Sequence, residues 1–213
     1  MTMWIFNRQK QTLLSTAAAA LLLLGGCGMA EGDDEDRNSR IYLTFDDVAF
    51  EEFCLARYDL NGDGRFSRHE AQRVLHLDCS GLGITSLALI DEFKHLETLN
   101  CANNALTDLD VKACRSLRTL DCTNNRLGHL EVEGLRSLTV LRCAENELTN
   151  LNVGSNVNLE ELQGEQNRFT VLDLSSCAAS LRAWLRKNPS LKTIYYRTGQ
   201  QIDYASPATL VER

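Results

Sequence analysis

A repeat of 21 or 22 residues constrains the fold of this chain more than any other feature of its sequence. The four clearest copies share the pattern L-x-x-L-x-C-x-x-N-x-L-x-x-L-x-V and occupy residues 96–116, 117–137, 138–158 and 159–180. An atypical copy precedes them at 74–95, as expected for the first unit of a stack, which has to cover the open end of the core. One such unit cannot bury its apolar residues alone, so consecutive copies predict a stacked solenoid.

The spacing of apolar residues within each copy indicates short strands. Leu99 and Cys101 alternate with polar neighbours at a period of two, which points both side chains to the same face. The alternation returns after a turn at Leu109 and Val111, and this predicts a second, strand-like side instead of a full helix.

This pattern resembles the leucine-rich-repeat family, in a short bacterial form close to the internalin-type repeats. The resemblance covers roughly residues 74–196 and implies a right-handed solenoid in which each L-x-x-L-x-C segment is a parallel strand on a concave sheet. The predicted fold class is therefore an α/β-type repeat solenoid, mostly β, of about six or seven coils. Residues 41–73 are assigned to a helix–loop–helix cap at its N-terminal end, and residues 197–213 to a C-terminal tail.

Two columns of identical residues run through the copies. The asparagine column is predicted to bond backbone groups at a bend that water does not reach; its members are Asn104, Asn125, Asn146 and Asn167. The cysteine column consists of Cys79, Cys101, Cys122 and Cys143. Neighbouring strands lie about 4.8 Å apart, farther than the Cβ separation of about 3.8 Å in a disulfide, so we interpret these cysteines as small buried apolar residues. Whether Cys54 and Cys79 form a disulfide bond is left open by the sequence.

The segment DLNGDGRFSRHE, residues 59–70, matches the twelve-residue EF-hand calcium loop. Calcium prefers oxygen ligands, which this pattern supplies from alternate positions and from a final glutamate. The predicted ligands are Asp59, Asn61, Asp63, the backbone carbonyl of Arg65, Ser67 and Glu70. Gly64 permits the sharp turn in the middle of the loop. The alternative is a turn rich in aspartate and glycine that binds no metal.

The residues on either side of this loop favour two helices. The first is predicted over residues 44–58, with Thr44 as its N-cap. The second is predicted from Arg68 to about Arg73, with Ser67 as its N-cap, and the first strand is expected to begin at Val74.

Calcium loops of this kind normally occur in pairs that contact each other through position 8, yet this sequence contains one. Phe66 occupies position 8, so we expect its ring to bury against the open end of the solenoid. The residues expected to form that contact are Phe50, Phe53, Leu55, Val74, Leu77 and Leu82. On this interpretation calcium stabilises the cap and does not act as a signal.

The N-terminal residues 1–26 have the features of a bacterial signal peptide. Arg8 and Lys10 precede an apolar segment at Leu13–Leu24 that is too short for a comfortable membrane span. The following LGGC resembles the lipobox of bacterial lipoproteins, which implies that Cys27 carries lipid. An ordinary signal peptide with an incidental cysteine is the alternative.

Residues 27–40 are rich in aspartate and glutamate and almost free of apolar residues, which predicts a disordered tether. An acidic run after the lipid-bearing cysteine also resembles a surface-export signal of some Gram-negative bacteria, and a merely solvated tether is the alternative. The sequence therefore predicts an outer-membrane lipoprotein attached to the membrane by its lipid, and leaves open whether it faces the periplasm or the cell surface.

The net charge and the absence of catalytic motifs disfavour two classes of function, nucleic-acid binding and catalysis. The formal net charge of −7 disfavours nucleic acid as a partner, and the four histidines form no H-E-x-x-H motif. We therefore predict a non-enzymatic module for protein–protein interaction or adhesion. The predicted contact surface is the outward side of the concave sheet, formed by Thr98, Asn100, Thr119, Asp121, Val140, Arg142, Glu161 and Gln163. These residues are polar, of mixed charge and without an aromatic anchor, so they name no partner.

Aromatic residues near the C-terminus offer a second interpretation. Leu181 with Trp184, and Ile194 with Tyr196, predict two further strands. We expect Trp184, Tyr195 and Tyr196 to cover the open end of the core. The alternative is a ligand-binding aromatic patch, which would suit glycan capture by a surface lipoprotein. A purely structural role in the cell envelope is the third possibility.

Overall fold

The computed structural model describes residues 41–205 and 207–213. The predictions that fall outside the described residues are the signal peptide at 1–26, the tether at 27–40 and the lipidation of Cys27. The described ranges hold no helix with the length and apolar character that a membrane span needs.

The described chain begins with two helices and continues as short strands. The helices are α1 (Val48–Tyr58), α2 (Arg68–Arg73) and a one-turn 3₁₀ helix at Ile90–Glu92. The strands are β1 (His76–Asp78), β2 (Thr98–Asn100), β3 (Asp108–Asp110), β4 (Thr119–Asp121), β5 (His129–Glu131), β6 (Val140–Arg142), β7 (Glu161–Gln163), β8 (Val171–Asp173), β9 (Arg182–Trp184), β10 (Thr193–Tyr196), β11 (Gln201–Asp203) and β12 (Thr209–Glu212).

All strand pairs are parallel and form three sheets. A sheet of seven strands has the order β1-β2-β4-β6-β7-β9-β11 and contains the L-x-x-L-x-C segments. On the other side of the coils lie a sheet of three strands, β12-β10-β8, and a sheet of two, β3-β5. Each coil thus supplies a strand to the seven-stranded sheet before the chain crosses to the other side. The predicted mostly-β solenoid of parallel strands is confirmed.

The central residue of each strand in the seven-stranded sheet faces the core, and its two neighbours face outward. The strands pair in register, so the central residues form one buried column of Leu77, Leu99, Leu120, Leu141, Leu162 and Ala183. Burying one leucine side chain stabilises a fold by about 1.5–3 kcal/mol. The repeated leucine therefore specifies both the register and much of the stability of the stack.

The predicted asparagine ladder is confirmed. In a typical member, Nδ2 of Asn125 donates to the carbonyl oxygens of Cys101 (3.0 Å) and Cys122 (3.1 Å). Its Oδ1 accepts from the backbone N–H of Leu106 at 3.0 Å. Each amide thus joins its own coil to the preceding one. The ladder also extends one coil beyond the prediction, to Asn188.

A second column of polar groups lies at the other bend of the coils. Nδ2 of the fully buried Asn156 donates to the carbonyl oxygens of Val132 (3.0 Å) and Leu135 (2.9 Å). The thiols of Cys114 and Cys177 hold equivalent positions and also donate to carbonyls of the preceding coil. These side chains satisfy backbone carbonyls that water cannot reach.

The cysteines of the described chain are free and buried, including Cys54 and Cys79. Burial raises the pKa of the Cys79 thiol to about 12. The interpretation of the cysteine column as small apolar residues is therefore confirmed. Gly164 interrupts the column because a Cβ there would lie 3.1 Å from the ring of Phe169, which fills the space of a cysteine side chain.

The predicted start of the first helix is wrong. Helix α1 begins at Val48, and its N-cap is Asp47, whose side chain accepts a hydrogen bond from the N–H of Phe50 at 3.0 Å. Thr44 therefore lies outside the helix. The carboxylate of Asp47 prevails because it also accepts two hydrogen bonds from Thr85 in the first coil.

Two further boundaries differ from the predictions. The first strand begins at His76 and not at Val74, because Val74 is the C-cap of α2 and donates its N–H to the carbonyl of Ala71. Residues 197–213 are more than a tail, since they contribute β11 to the seven-stranded sheet and β12 to the three-stranded sheet. Strand β11 pairs in register with β9, so the stack continues past residue 196.

Candidate functional site

The loop between α1 and α2 folds around its own side-chain oxygens. The carboxylate of Asp59 accepts from the N–H groups of Gly62 (2.8 Å) and Gly64 (2.9 Å). Both glycines have a positive φ, which a Cβ would strain. Further along, Oδ1 of Asn61 accepts from the N–H of Asp63 at 3.0 Å. The loop is thus held in a tight curl by hydrogen bonds from its own backbone N–H groups to these side-chain oxygens.

Glu70 closes the loop from its far end. This side chain is only 3% exposed, and its Oε2 accepts from both the N–H and the hydroxyl of Ser67 at 2.8 Å. Ser67 in turn caps α2, as the sequence predicted. Oε1 of Glu70 accepts from the N–H of Leu60 at 2.8 Å. One carboxylate therefore connects the beginning of the loop with the start of α2.

The donor set consists entirely of oxygens, which suits a hard cation such as Ca²⁺. Within the described ranges, no group of three or more His, Cys, Asp or Glu side chains is arranged to hold a metal ion. Both oxygens of Glu70 are occupied by the hydrogen bonds described above, and three of the other predicted ligands, Asn61, the Arg65 carbonyl and Ser67, are not carboxylates. The oxygen ligands therefore suit calcium in their chemistry. In this structure the carboxylate of Glu70 accepts hydrogen bonds from Leu60 and Ser67, so it would have to give these up to bind the ion.

The surroundings of Asp63 favour its ionised carboxylate. Slight desolvation of Asp63 raises its pKa, but hydrogen bonds from the N–H of Arg65, from Asn61 and from Tyr42 outweigh it and hold the pKa below the usual 3.8. The Asp63 carboxylate is therefore charged at neutral pH, as a cation ligand must be.

The ring of Phe66 is buried against the first coil. Phe66 is 2% exposed and stacks on Phe93, with ring centroids 5.9 Å apart. The ring of Phe50 also contacts Phe93, with ring centroids 6.0 Å apart. The predicted burial of Phe66 at the end of the solenoid is confirmed, although Leu82, which we expected in this contact, is 43% exposed. The contact is supplied instead by Phe93, which follows the 3₁₀ helix and is fully buried.

Polar contacts also fasten the two helices to the first coil, and sequence reasoning missed them. The guanidinium of Arg68 forms a two-pronged ion pair with Glu92, with distances of 2.7 and 2.8 Å. Oδ2 of Asp47 accepts from the N–H and the hydroxyl of Thr85, both at 2.7 Å. Each pair joins residues more than twenty positions apart, so no local pattern reveals it.

The seven-stranded sheet brings together all eight residues of the predicted contact surface. They occupy two columns of outward positions, Thr98-Thr119-Val140-Glu161 and Asn100-Asp121-Arg142-Gln163. Arg142 forms an ion pair with Glu161 at 2.9 Å, with both side chains partly shielded from water. At the start of the same sheet, a depression of about 310 Å³ lies between the end of α1 and strands β1, β2 and β4.

Trp184 corrects two expectations about the aromatic residues. Ala183, not Trp184, pairs with the inward Leu162, so Trp184 points outward and follows Gln163 in its column. The indole is half-buried and lines a depression of about 280 Å³ together with Arg182 and Asp203. The predicted surface therefore does have an aromatic residue, and Trp184 does not cover the open end of the core.

The two tyrosines lie elsewhere. Tyr195 and Tyr196 belong to β10 in the three-stranded sheet, and the guanidinium of Arg213 lies 3.4 Å from the ring centre of Tyr195. The three aromatic residues consequently do not form the single patch that the alternative interpretation requires. One sequence signal could have predicted the direction of Trp184. A count of 21 residues from Leu162, the usual period, reaches Ala183 and not Trp184, although the copy at 159–180 has 22 residues.

Comparisons with known proteins agree with this architecture. The family model for leucine-rich repeats, in two copies, matches residues 94–136. The fold is similar to the functional domain of InlJ from Listeria monocytogenes, which includes a cysteine ladder, with 28% sequence identity and a TM-score of 0.62 over 74% of this chain and 37% of that one. An internalin, InlF, from the same species has 17% identity and a TM-score of 0.55 over 74% of this chain and 51% of that one. This chain thus spans less than two thirds of either protein. A comparison with curated proteins finds no match.

Proposed function

We propose that this leucine-rich-repeat solenoid binds a protein partner through the outward side of its seven-stranded sheet. The observation that supports the proposal most is the position of Trp184, which adds a half-buried indole to the column that contains Arg142 and Gln163. Tryptophan and arginine carry a large share of the binding energy in protein interfaces. Within the described residues, the indole N–H has no hydrogen-bond partner, so it is free to donate to a ligand.

Affinity capture with matched variants tests this proposal. The immobilised wild type is compared with Trp184→Ala and with Val171→Ala, which alters an exposed apolar side chain on the three-stranded sheet. We expect one protein to be retained by the wild type and by Val171→Ala and to be lost from Trp184→Ala. Equal retention by all three proteins would exclude the seven-stranded sheet around Trp184 as the contact surface.

Glycan binding is a second candidate, and the surroundings of Trp184 favour it specifically. Arg182, Gln201 and Asp203 surround the indole in the same depression and supply planar polar groups next to an aromatic face. A glycan array probed with the wild type and with Trp184→Ala distinguishes the two candidates. Binding of a defined sugar that depends on Trp184, together with no captured protein, would favour the glycan.

The same proposal includes a structural calcium ion in the loop before α2. Its ligands would be the oxygens of Asp59, Asn61, Asp63, Arg65, Ser67 and Glu70, with Glu70 exchanging its hydrogen bonds for the cation. When bound, the ion would neutralise carboxylates that otherwise repel one another. The supporting observation is the docking of this loop through Phe66 and Phe93, because holding the loop then also holds the cover of the first coil. Calorimetric titration of calcium into the protein measures the binding directly.

We also propose that Cys27 carries lipid and anchors the protein to the outer membrane. The support is the LGGC motif after an apolar segment, so the proposal depends on sequence alone. Radiolabelled palmitate should enter the wild type and not Cys27→Ser. Equal labelling of both proteins would contradict the proposal.

A further inference from the structure

The chain just before α1 pairs with the back of the candidate calcium loop. We call residues 41–45 the strap. The N–H of Leu43 donates to the carbonyl of Phe66 at 2.8 Å, and the N–H of Arg68 donates to the carbonyl of Ile41 at 2.8 Å. Between these bonds, Tyr42 and Ser67 form an antiparallel bridge. The strap therefore occupies the edge of the loop at position 8, where a second loop would pair.

The side chain of Tyr42 binds the loop from outside. Its hydroxyl donates to Oδ2 of Asp63 at 3.1 Å, and the guanidinium of Arg65 lies 4.0 Å from the centre of its ring. Asp63 and Arg65 are two of the proposed calcium ligands. Tyr42 remains 37% exposed, so these contacts and not burial hold it in place.

The C-terminal end of the strap is held by apolar contacts. The ring of Phe45 lies 5.3 Å from that of Phe50 and 5.8 Å from that of Phe66. Leu43 also packs against the core cluster. The strap is thus fixed at one end by aromatic packing and at the other by the loop backbone.

We propose that the strap replaces the missing second loop, so that a calcium ion in the loop and the strap stabilise each other. This inference rests on the calcium site proposed above. The ion would fix Asp63 and the carbonyl of Arg65, and this would hold the adjoining Phe66 carbonyl and Arg68 N–H in position for the strap. Coupling between two binding events is reciprocal, so the bound strap strengthens calcium binding by the same factor.

The coupling has a consequence for the chain that precedes α1. Residues 41–43 already run extended along the loop, so their release would add little length. When calcium leaves, the strap is held more weakly, and its release would let these residues turn away from the loop. Calcium would thereby regulate the direction in which the chain before residue 41 leaves the cap.

Two proline variants separate the strap from the rest of the cap. Leu43→Pro removes the N–H that donates to Phe66, whereas Thr44→Pro makes the same change at an exposed neighbour whose N–H has no partner among the described residues. Calcium affinity is measured by calorimetry in the full mature chain. We expect Leu43→Pro to bind calcium about tenfold more weakly, the factor that one net hydrogen bond supplies, and Thr44→Pro to match the wild type. Tyr42→Phe, which removes only the hydroxyl, should show a smaller loss.

Limited digestion with chymotrypsin measures how firmly the strap is held, because the rate of cleavage after Phe45 rises when the strap is released. In the wild type and in Thr44→Pro, this cleavage should be slow with calcium and about tenfold faster with a chelator, in line with reciprocal coupling. In Leu43→Pro it should be fast in both conditions. If calcium binds all variants equally and does not change cleavage, the strap inference is wrong and the calcium site stands. If the wild type gives no calcium heat at all, the proposed site fails and the inference fails with it.

Discussion

Asp47 connects two levels of the fold through a single carboxylate. One of its oxygens caps α1 through the N–H of Phe50, and the other accepts two hydrogen bonds from Thr85 in the first coil. The side chain is only 8% exposed. Removing it leaves the helix without a cap and the N–H of Thr85 without an acceptor. Loss of a cap costs about 1 kcal/mol, and each hydrogen bond to a charged group contributes about 1.5–3 kcal/mol. Since these terms are not additive, we expect Asp47→Ala to lower the free energy of unfolding by about 3 kcal/mol.

The pH dependence provides an independent check. Burial alone would raise the pKa of Asp47, but the hydrogen bonds from Thr85, Phe50 and Ser86 together lower it below the usual 3.8. A carboxyl whose folded pKa is depressed stabilises the protein above its unfolded pKa, and this contribution is lost as the pH falls through the folded pKa. The difference between the wild type and Asp47→Ala should therefore be constant from pH 7 to about pH 5 and shrink below the unfolded pKa of about 3.9.

Urea unfolding at several pH values measures both effects. Asp46→Ala is the matched control, because Asp46 is the exposed neighbour of Asp47 and exposed substitutions usually change stability by less than about 0.5 kcal/mol. A loss below about 1 kcal/mol for Asp47→Ala would mean that the cap does not depend on these hydrogen bonds. An undiminished difference at pH 2 would mean that the charge of Asp47 is irrelevant.

Three further predictions concern the loop, the ladder and the thiols. Chelation should lower the melting temperature, because calcium at a hundredfold excess over its dissociation constant adds about 2.7 kcal/mol; Asp59→Ala or Glu70→Gln should abolish the difference, and an unmoved melting curve would exclude a stabilising ion. Asn146→Ala should destabilise the protein by about 3 kcal/mol, because the N–H of Leu127 loses its acceptor and three backbone carbonyls each lose one of two donors, whereas the exposed Asn158→Ala should cost less than about 1 kcal/mol in the same urea assay. Alkylation of the described cysteines should be slow in the native protein and fast in urea, as measured by mass spectrometry, and rapid native labelling would contradict their burial.

The regular part of the fold could be predicted from the sequence because every repeat has the same residue types at the same positions. Leu99 and Asn125 stand for columns whose members have identical surroundings, so one interpretation applies to all of them. The cap of α2 was also predictable, since Ser67 and Glu70 satisfy each other within a single turn. These features depend on residues that are near one another in sequence or one period apart.

The remainder depends on contacts between distant residues. Thr44 and Asp47 both suit an N-cap, and the choice is made by Thr85, which lies 38 positions away. Trp184 points outward because its neighbour Ala183 pairs with the inward Leu162. The preceding repeat copy has one more residue than the three before it, which obscures this pairing in the sequence. The strap at 41–45 has no local signature at all, because its pairing with the loop follows from the tertiary fold.

The burial of every described cysteine also bears on how the chain must fold. In the unfolded chain a thiol has a pKa near 8.5 and reacts readily with oxidants and with other thiols. Six of the seven described thiols lie in the coils and the seventh, Cys54, lies in α1, so they become inert only when the coils and the cap close, and folding and oxidation compete kinetically in an oxidising compartment. Each coil contacts only its neighbours, so closure can propagate along the stack and protect one cysteine after another. The described part of the chain, with its seven cysteines, can therefore reach a native state of free thiols without passing through mispaired disulfides, provided that its coils close faster than its thiols are oxidised.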